Sequence, residues 1–215
     1  IRDSDYNNIE PMNVKQKEDF LILIDGTAYL YRAYHALPPL TNKKGENTGA
    51  IHGFLKALNK IRQDYNPKYI GLVFDAKGKN FRHKIYDEYK ANRSSMPAEL
   101  SEQVQPIIDL IKSLGITILQ EPGVEADDVI ATLATKDYGK DINILISSGD
   151  KDLAQLVNEK VILINSMDDK VLDIEGVIKK FGIPPKSIFD YLVLVGDNSD
   201  NIPGVDKVGP KTAVS

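Results

Sequence analysis

The chain has 215 residues, no cysteine, 42% hydrophobic residues and a formal net charge of −4. That is enough for one substantial domain, or one domain and part of a second, around a sizeable core. It excludes disulfides, thiolate nucleophiles and cysteine-ligated zinc, and no apolar run reaches the length of a membrane span.

The chain opens on "IRDSDYNNIEPMNVKQKED", a polar stretch without the apolar segment of a signal peptide. Residues 1–19 are therefore expected to be a disordered or appended lead-in. Five short apolar runs then read as strands: Phe20 to Ile24, Tyr69 to Phe74, Ile116 to Leu119, Ile142 to Ile146 and Val161 to Ile164. They are continuous rather than alternating, which suits a parallel sheet covered on both faces. Helical spacing appears between them, at Ile51 to Asp64, Ser101 to Leu114 and Glu125 to Lys136. The expected class is α/β, a mostly parallel central sheet with helices on both faces. Near "FGIPPKS", Pro184 and Pro185 break the pattern. A boundary is expected there, between a domain over 20–184 and a short helix with a Gly-rich tail over 185–215.

The strand ends carry acids. "FLILID" ends in Asp25, "YIGLVFD" ends in Asp75, and "INILISSGDKD" delivers Asp150 and Asp152. "GVEADDVIATLA" puts Glu125, Asp127 and Asp128 at the mouth of a helix. One acid after a strand is an ordinary turn or cap residue. Acid at all four places is not required by any turn, and the carboxyl ends of parallel strands share one edge, where ligand sites form. "VGDNSDNIPG" adds Asp197 and Asp200, although "DNSDN" also has the composition of a plain loop.

Crowded carboxylates take up protons unless cations neutralise them. An all-oxygen set without histidine or cysteine fits hard divalent ions, Mg²⁺ above all. Two such ions about 4 Å apart can activate water and steady a leaving oxygen at phosphate. Set the nine candidate acids aside and 22 acidic residues face 27 basic ones, a balance of +5. The negative average is then mostly the site itself, and a nucleic-acid partner stays open. "KGKNFRHKIYDEYKANR" carries Lys77, Lys79, Arg82, His83, Lys84, Lys90 and Arg93 among Phe81, Tyr86 and Tyr89. On a helix, Arg82, Tyr86, Lys90 and Arg93 would form one stripe. Cations beside rings suit a single strand, and a solvated helix with a few buried rings is the plainer alternative.

Five stretches carry a resemblance: "LIDGTAYLYRAYHALPPLTNKKGENTGAIHGF", "VFDAKGKNFRHKIYDEYKANR", "GVEADDVIATLA", "SSGDKDLAQLV" and "GDNSDNIPGV". Their order and spacing resemble the 5′ nuclease domain of bacterial DNA polymerase I, kin to flap endonucleases and PIN-like in fold. The resemblance implies two-metal hydrolysis of DNA phosphodiesters at a 5′ flap, nick or free 5′ end, with Mg²⁺ or Mn²⁺. It assigns all nine acids to metal binding. It sets Lys90 and Arg93 on the scissile phosphate beneath a helical arch near 77–97, and counts Arg82, in the same arch, with them as catalytic. It gives Tyr31, Arg32 and Lys84 to the DNA strand. The tail "NIPGVDKVGPKTA" resembles the hairpin of a helix–hairpin–helix element, which binds duplex and K⁺. Gly204, Lys207, Gly209, Lys211 and Thr212 would serve there, with Lys207 standing where the family has glycine. RNA primers, a covalent polymerase, a monomeric state and a place in the bacterial cytoplasm near the nucleoid are further implications. Competing readings are a freestanding nuclease, a ribonuclease or phosphatase on a similar sheet, and a silent nucleic-acid clamp.

Overall fold

The computed structural model describes residues 20–136, 142–165 and 170–215. The lead-in expected at 1–19 lies outside the described residues. The apolar runs form β1 (Phe20–Asp25), β2 (Tyr69–Val73), β3 (Thr117–Leu119), β4 (Asn143–Ser148) and β5 (Val161–Asn165). All pair in parallel in the order β3-β2-β1-β4-β5. A two-residue strand, β6 (Val171–Leu172), adds antiparallel at the edge. Two residues are too few for a sequence period, so β6 was not expected.

Burial on both faces explains the continuous apolar strands. Ile22 and Ile24 pack with Leu30 of α1 (Gly26–Ala36), Phe54 and Leu58 of α2 (Gly49–Tyr65), and Ile107 and Ile111 of α4 (Ala98–Ser113). On the other face, Leu23, Ile144 and Ile146 pack with Ile130 of α5 (Ala126–Thr135). Each fully buried aliphatic side chain contributes about 1.5–3 kcal/mol. The three helices expected between the strands are present, with ends shifted by a few residues.

Helix α1 was not expected. "GTAYLYRAYHA" opens on glycine and is rich in tyrosine, so its period is masked. It follows β1 without a loop because Asp25 ends the strand and caps the helix, accepting Ala28 N–H at 2.9 Å. A Cβ on Gly26 would lie 2.5 Å from the Phe74 ring. Only glycine lets the start of α1 lie against the residue that precedes Asp75.

The expected helical stripe over the basic segment is corrected. Only α3 (Arg82–Ile85) is helical, Tyr86 turns extended, and Lys90 has φ 54°. The chain leaves the helical path to bury Tyr89 and to let Lys90 N–H donate to the Asp200 carbonyl at 2.9 Å. Helix α6 (Ile174–Phe181), capped by Asp173 and closed at Gly182, precedes the prolines. Beyond them come a 3-10 turn (Pro185–Ser187), α7 (Ile188–Val195) and the four-residue α8 (Pro210–Ala213). The hairpin between these helices closes where Gly196 and Gly204 touch backbone to backbone, leaving no room for a Cβ on either.

Candidate active site

Strand order decides the site. The carboxyl ends of β1, β2 and β4 lie side by side, so Asp25, Asp75 and Asp150 meet at one rim. The mouth of α5 joins them, because Ala126 N–H donates to Asp75 Oδ1 at 2.8 Å. A cleft of about 300 Å³ results, lined by Asp25, Asp75, Glu125, Asp127 and Asp150, with Tyr31, Lys90 and Arg93. Five of the nine expected acids and two of the expected cations therefore share one cavity.

The charges are incompletely compensated. Asp25 is 6% exposed, and burial, with Asp75 and Asp150 nearby, raises its pKa to about 6. Burial raises Asp127 to about 8, and the charges that act on it most, those of Asp150, Asp25, Asp75 and Glu125, are all acidic. Asp152, at the start of a 3-10 turn (Asp152–Leu156), is raised to about 6 by burial and then by Asp150 and Asp197. Its Oδ1 is buried without a hydrogen-bond partner.

Cations hold the remaining acids. Lys90 Nζ stands 2.6 Å from Glu125 Oε1 and 3.7 Å from Asp200 Oδ2. Arg93 pairs with Asp200 Oδ1. Arg82 grips both oxygens of Asp128, which holds that carboxyl below its ordinary pKa. Asp128 thus faces the segment after β2 rather than the cleft. Burial pushes Asp197 up, but the bond from Lys151 at 3.1 Å and backbone donors hold it lower than usual. Asp197 and Asp200 bracket a tight turn in which Asp197 Oδ1 accepts Ser199 N–H at 2.6 Å.

Several residues here were not among the expected site residues, although Tyr89 stood out as a ring in the basic segment. The Tyr89 hydroxyl, with one hydrogen to give, lies 2.8 Å from Glu125 Oε2 and 3.0 Å from Asp200 Oδ2, and burial keeps it protonated far above the ordinary range. Asn80 donates to Glu125 Oε1 at 2.7 Å. Lys151 and Thr27 also touch the acids, Thr27 Oγ1 accepting Asp75 N–H at 3.0 Å. "DKD" displayed Lys151 between two acids, and that was the one signal for it.

The DNA-facing expectations divide. Tyr31 lines the cleft. Arg32 lies over the Tyr29 ring at 5.8 Å, and Lys84 is exposed on α3. Gly204 is needed for packing against Val195 and Gly196. Lys207 takes the left-handed conformation itself, φ 61°, with its side chain exposed. Gly209, Lys211 and Thr212 are exposed at the start of α8. Two hairpin amides are spent internally: Val205 N–H on the Leu194 carbonyl and Val208 N–H on the Val205 carbonyl.

The donor set fits a hard divalent cation. It is all oxygen, it is short of positive charge around Asp127, and it leaves a buried oxygen of Asp152 unpaired. Among the described residues, no three acids already converge as a finished metal cage. Repulsion accounts for that: Glu125 and Asp200 lean on lysine and arginine instead of on one another.

An acid-lined cleft at the strand ends, with Lys90 and Arg93 in its lining, can take divalent ions together with a phosphate group. The chain belongs to the 5′-3′ exonuclease family: the profile of the N-terminal resolvase-like domain matches residues 20–182, and that of the C-terminal SAM fold matches residues 183–215. By family it is a nuclease, and so a hydrolase. It is 51% identical over 194 residues to DNA polymerase I of Pseudomonas aeruginosa, covering 90% of this chain and 21% of that protein. It is 49% identical over 195 residues to the 5′-3′ exonuclease of Aquifex aeolicus, covering 91% of this chain and 68% of that protein. The chain thus spans about a fifth of the polymerase and about two thirds of the exonuclease. The fold is shared with the T5 D15 protein co-crystallised with metal ions, at TM-score 0.75 and 22% identity over 90% of this chain and 73% of that one. It is shared also with the catalytic core of Rad2 in complex with DNA substrate, at TM-score 0.59 and 20% identity over 95% and 62%.

Proposed function

We propose that the cleft hydrolyses DNA phosphodiesters near a 5′ end or 5′-flap junction with the help of two divalent ions, Mg²⁺ or in its place Mn²⁺. The observation that carries this reading is the convergence of Asp25, Asp75, Glu125, Asp127 and Asp150 on one cavity beside Lys90 and Arg93. In this reading Asp25, Asp75, Asp127, Asp150 and Asp152 hold metal directly or through water, and Glu125, Asp197 and Asp200 complete the set. Bound there, the ions would supply an activated water and a counter-charge for the leaving oxygen.

The side chains of the chain do the rest. Lys90 and Arg93 exchange their carboxylate partners for the reacting phosphate, to which they bring two positive charges. The Tyr31 ring at the rim offers a face to the terminal base. Arg82, committed to Asp128, fixes the basic segment over the cleft rather than gripping phosphate. Glu125 and Asp200, shared by Tyr89 and Lys90, link cation release to ligand entry. The identity to a DNA polymerase I supports a nuclease that works beside a polymerase, on 5′ flaps and primer ends that include RNA. A freestanding nuclease is the second form, favoured by the similar identity to the Aquifex protein. Exposed Lys207 and Lys211 support duplex binding by the hairpin. K⁺ at that hairpin rests on the resemblance, and of its carbonyls Val205 already accepts Val208 N–H.

A labelled 5′-flap oligonucleotide, incubated with Mg²⁺ and then with chelator, tests the reading. Single-stranded RNA and a small phosphate ester run beside it. Metal-dependent release of short 5′ products from the flap is expected. Preferential RNA cleavage or ester hydrolysis would favour the ribonuclease or phosphatase reading, and binding without cleavage would favour a clamp.

A further inference from the structure

Ser148 ends β4 and is 1% exposed, yet its side chain carries a polar atom. Side chains alternate across a strand, so Ser148 shares its face with Ile144 and Ile146 and points the way Asp25 points from β1. Its neighbour Ser147 points oppositely, to the Tyr29 hydroxyl at 2.7 Å. Ser148 Oγ lies 2.8 Å from Asp25 Oδ2, and Asp150 N–H lies 3.0 Å from the same Oγ.

With Asp25 ionised, as it must be to hold a metal ion, these two contacts leave the hydroxyl no choice of orientation. A peptide N–H can only donate, so Asp150 takes a lone pair of Oγ. A hydroxyl has one hydrogen, so that hydrogen goes to Asp25. The other Asp25 oxygen accepts Ala28 N–H. Asp25 is thereby held at both oxygens, each keeping a lone-pair direction free, while Asp150 is held through its backbone. Asp150 Oδ1 in turn accepts Asp152 N–H at 2.8 Å. One hydroxyl therefore sets the mutual placement of acids from two strands.

We infer that Ser148 is a positioning residue for metal binding: its hydroxyl orients the Asp25 carboxylate and the Asp150 turn so that both present oxygens to the same divalent ions. This rests on the metal-dependent reading above. Groups that orient ligands in this way typically govern metal affinity by about 10–100-fold.

The test uses the 215-residue chain with Ser148→Ala, Ser148→Thr and Ser148→Cys. Circular dichroism first establishes folding. Calorimetric titration with Mg²⁺ and with Mn²⁺ is the main readout, and flap cleavage across a MgCl₂ series is the second. Ser148→Ala should weaken Mg²⁺ binding about 10–100-fold and raise the Mg²⁺ needed for half-maximal rate by the same factor. KM for the flap at saturating Mg²⁺ should stay within about twofold, because Ser148 touches no substrate. Ser148→Thr, which keeps the hydroxyl, should restore most of the affinity. Ser148→Cys keeps the size with a weaker donor, should fall between, and carries the test if the alanine variant does not fold. Mg²⁺ affinity unchanged in Ala or Cys would overturn the role of Ser148. Absence of Mg²⁺ binding by the unaltered chain would instead overturn the metal reading, so the two failures are distinct.

Discussion

Arg82 and Asp128 are joined by two parallel hydrogen bonds, each 2.7 Å, across 46 residues of chain. The pair fastens the basic segment after β2 to the first turn of α5. Asp128 also reaches back to Glu125 N–H at 2.9 Å. One carboxylate therefore caps its own helix and anchors a distant loop.

Arg82→Lys should keep the charge and lose the fork. Charge-assisted, bidentate geometry is the part a lysine cannot reproduce. The expected loss is about 1–2 kcal/mol, seen as a Tm lower by about 2–4 °C per kcal/mol. Flap cleavage should fall less than it does on loss of Lys90. An unchanged Tm would mean that the loop is held by its other contacts.

Asp150→Asn should nearly abolish cleavage and spare the fold. Asp150 acts on Asp25, Asp127 and Asp152 as a raising charge. Removing it relieves repulsion, so the Tm without metal should rise while the Mg²⁺-induced gain shrinks. Near-normal cleavage in Mg²⁺ would take Asp150 out of the site.

Lys90→Ala and Arg93→Ala should damage the single-turnover rate more than binding to flap DNA measured in Ca²⁺. Both cations stand at the cleft, on Glu125 and Asp200, rather than along a distant surface. Equal losses in rate and in affinity would make them ordinary phosphate anchors.

Stability without metal should fall as pH rises. Asp25 and Asp152 are raised to about 6 and Asp127 to about 8, each from 3.8. The folded state therefore binds more protons than the unfolded one between those values. Their contribution is complete below about pH 4 and is lost as pH climbs through 6 and then 8. Asp128 and Asp197 are lowered and act oppositely, but only as pH falls below about 4. Thermal melts in chelator should show Tm declining from pH 5 to pH 8.5. Mg²⁺ should add more to Tm at pH 8.5 than at pH 5, since metal and protons compete for the same oxygens. A flat Tm across that range would contradict the crowding of unpaired charge around Asp127.

Lys207→Gly separates two roles. At φ 61° a side chain costs about 1 kcal/mol relative to glycine. The variant should melt a few degrees higher. If Lys207 also neutralises one duplex phosphate, the slope of log affinity against log salt should become shallower by about 0.9. A higher Tm with an unchanged slope would leave Lys207 with no part in duplex binding.

The sheet was legible because burial on both faces imposes continuous apolar runs, and the acids were legible because they terminate those runs. What escaped depends on partners remote in sequence. The Ser148 hydroxyl finds Asp25 across 123 residues, and Tyr89 finds Asp200 across 111. Neither separation leaves a local pattern. The spacing of the basic segment allows a helical stripe that the fold does not use. The burial of Tyr89 and the left-handed Lys90 overrode local propensity. The two-residue β6 and the tyrosine-rich α1 failed for want of a period.

The pairing of β1 with β4 has a consequence in time. Phe20 pairs with Asn143, and Ile24 with Ser147, so the central strand meets one of its two neighbours only across 123 residues of chain. Contacts so far apart in sequence form late. During synthesis, β1 and β2 can pair while the segment holding Asp150 is still on the ribosome, and in that interval Asp25 and Asp75 stand without the acid that completes their rim. The acidic rim is therefore assembled from segments made far apart in time, and Asp197 and Asp200, beyond the last strand, join it later still.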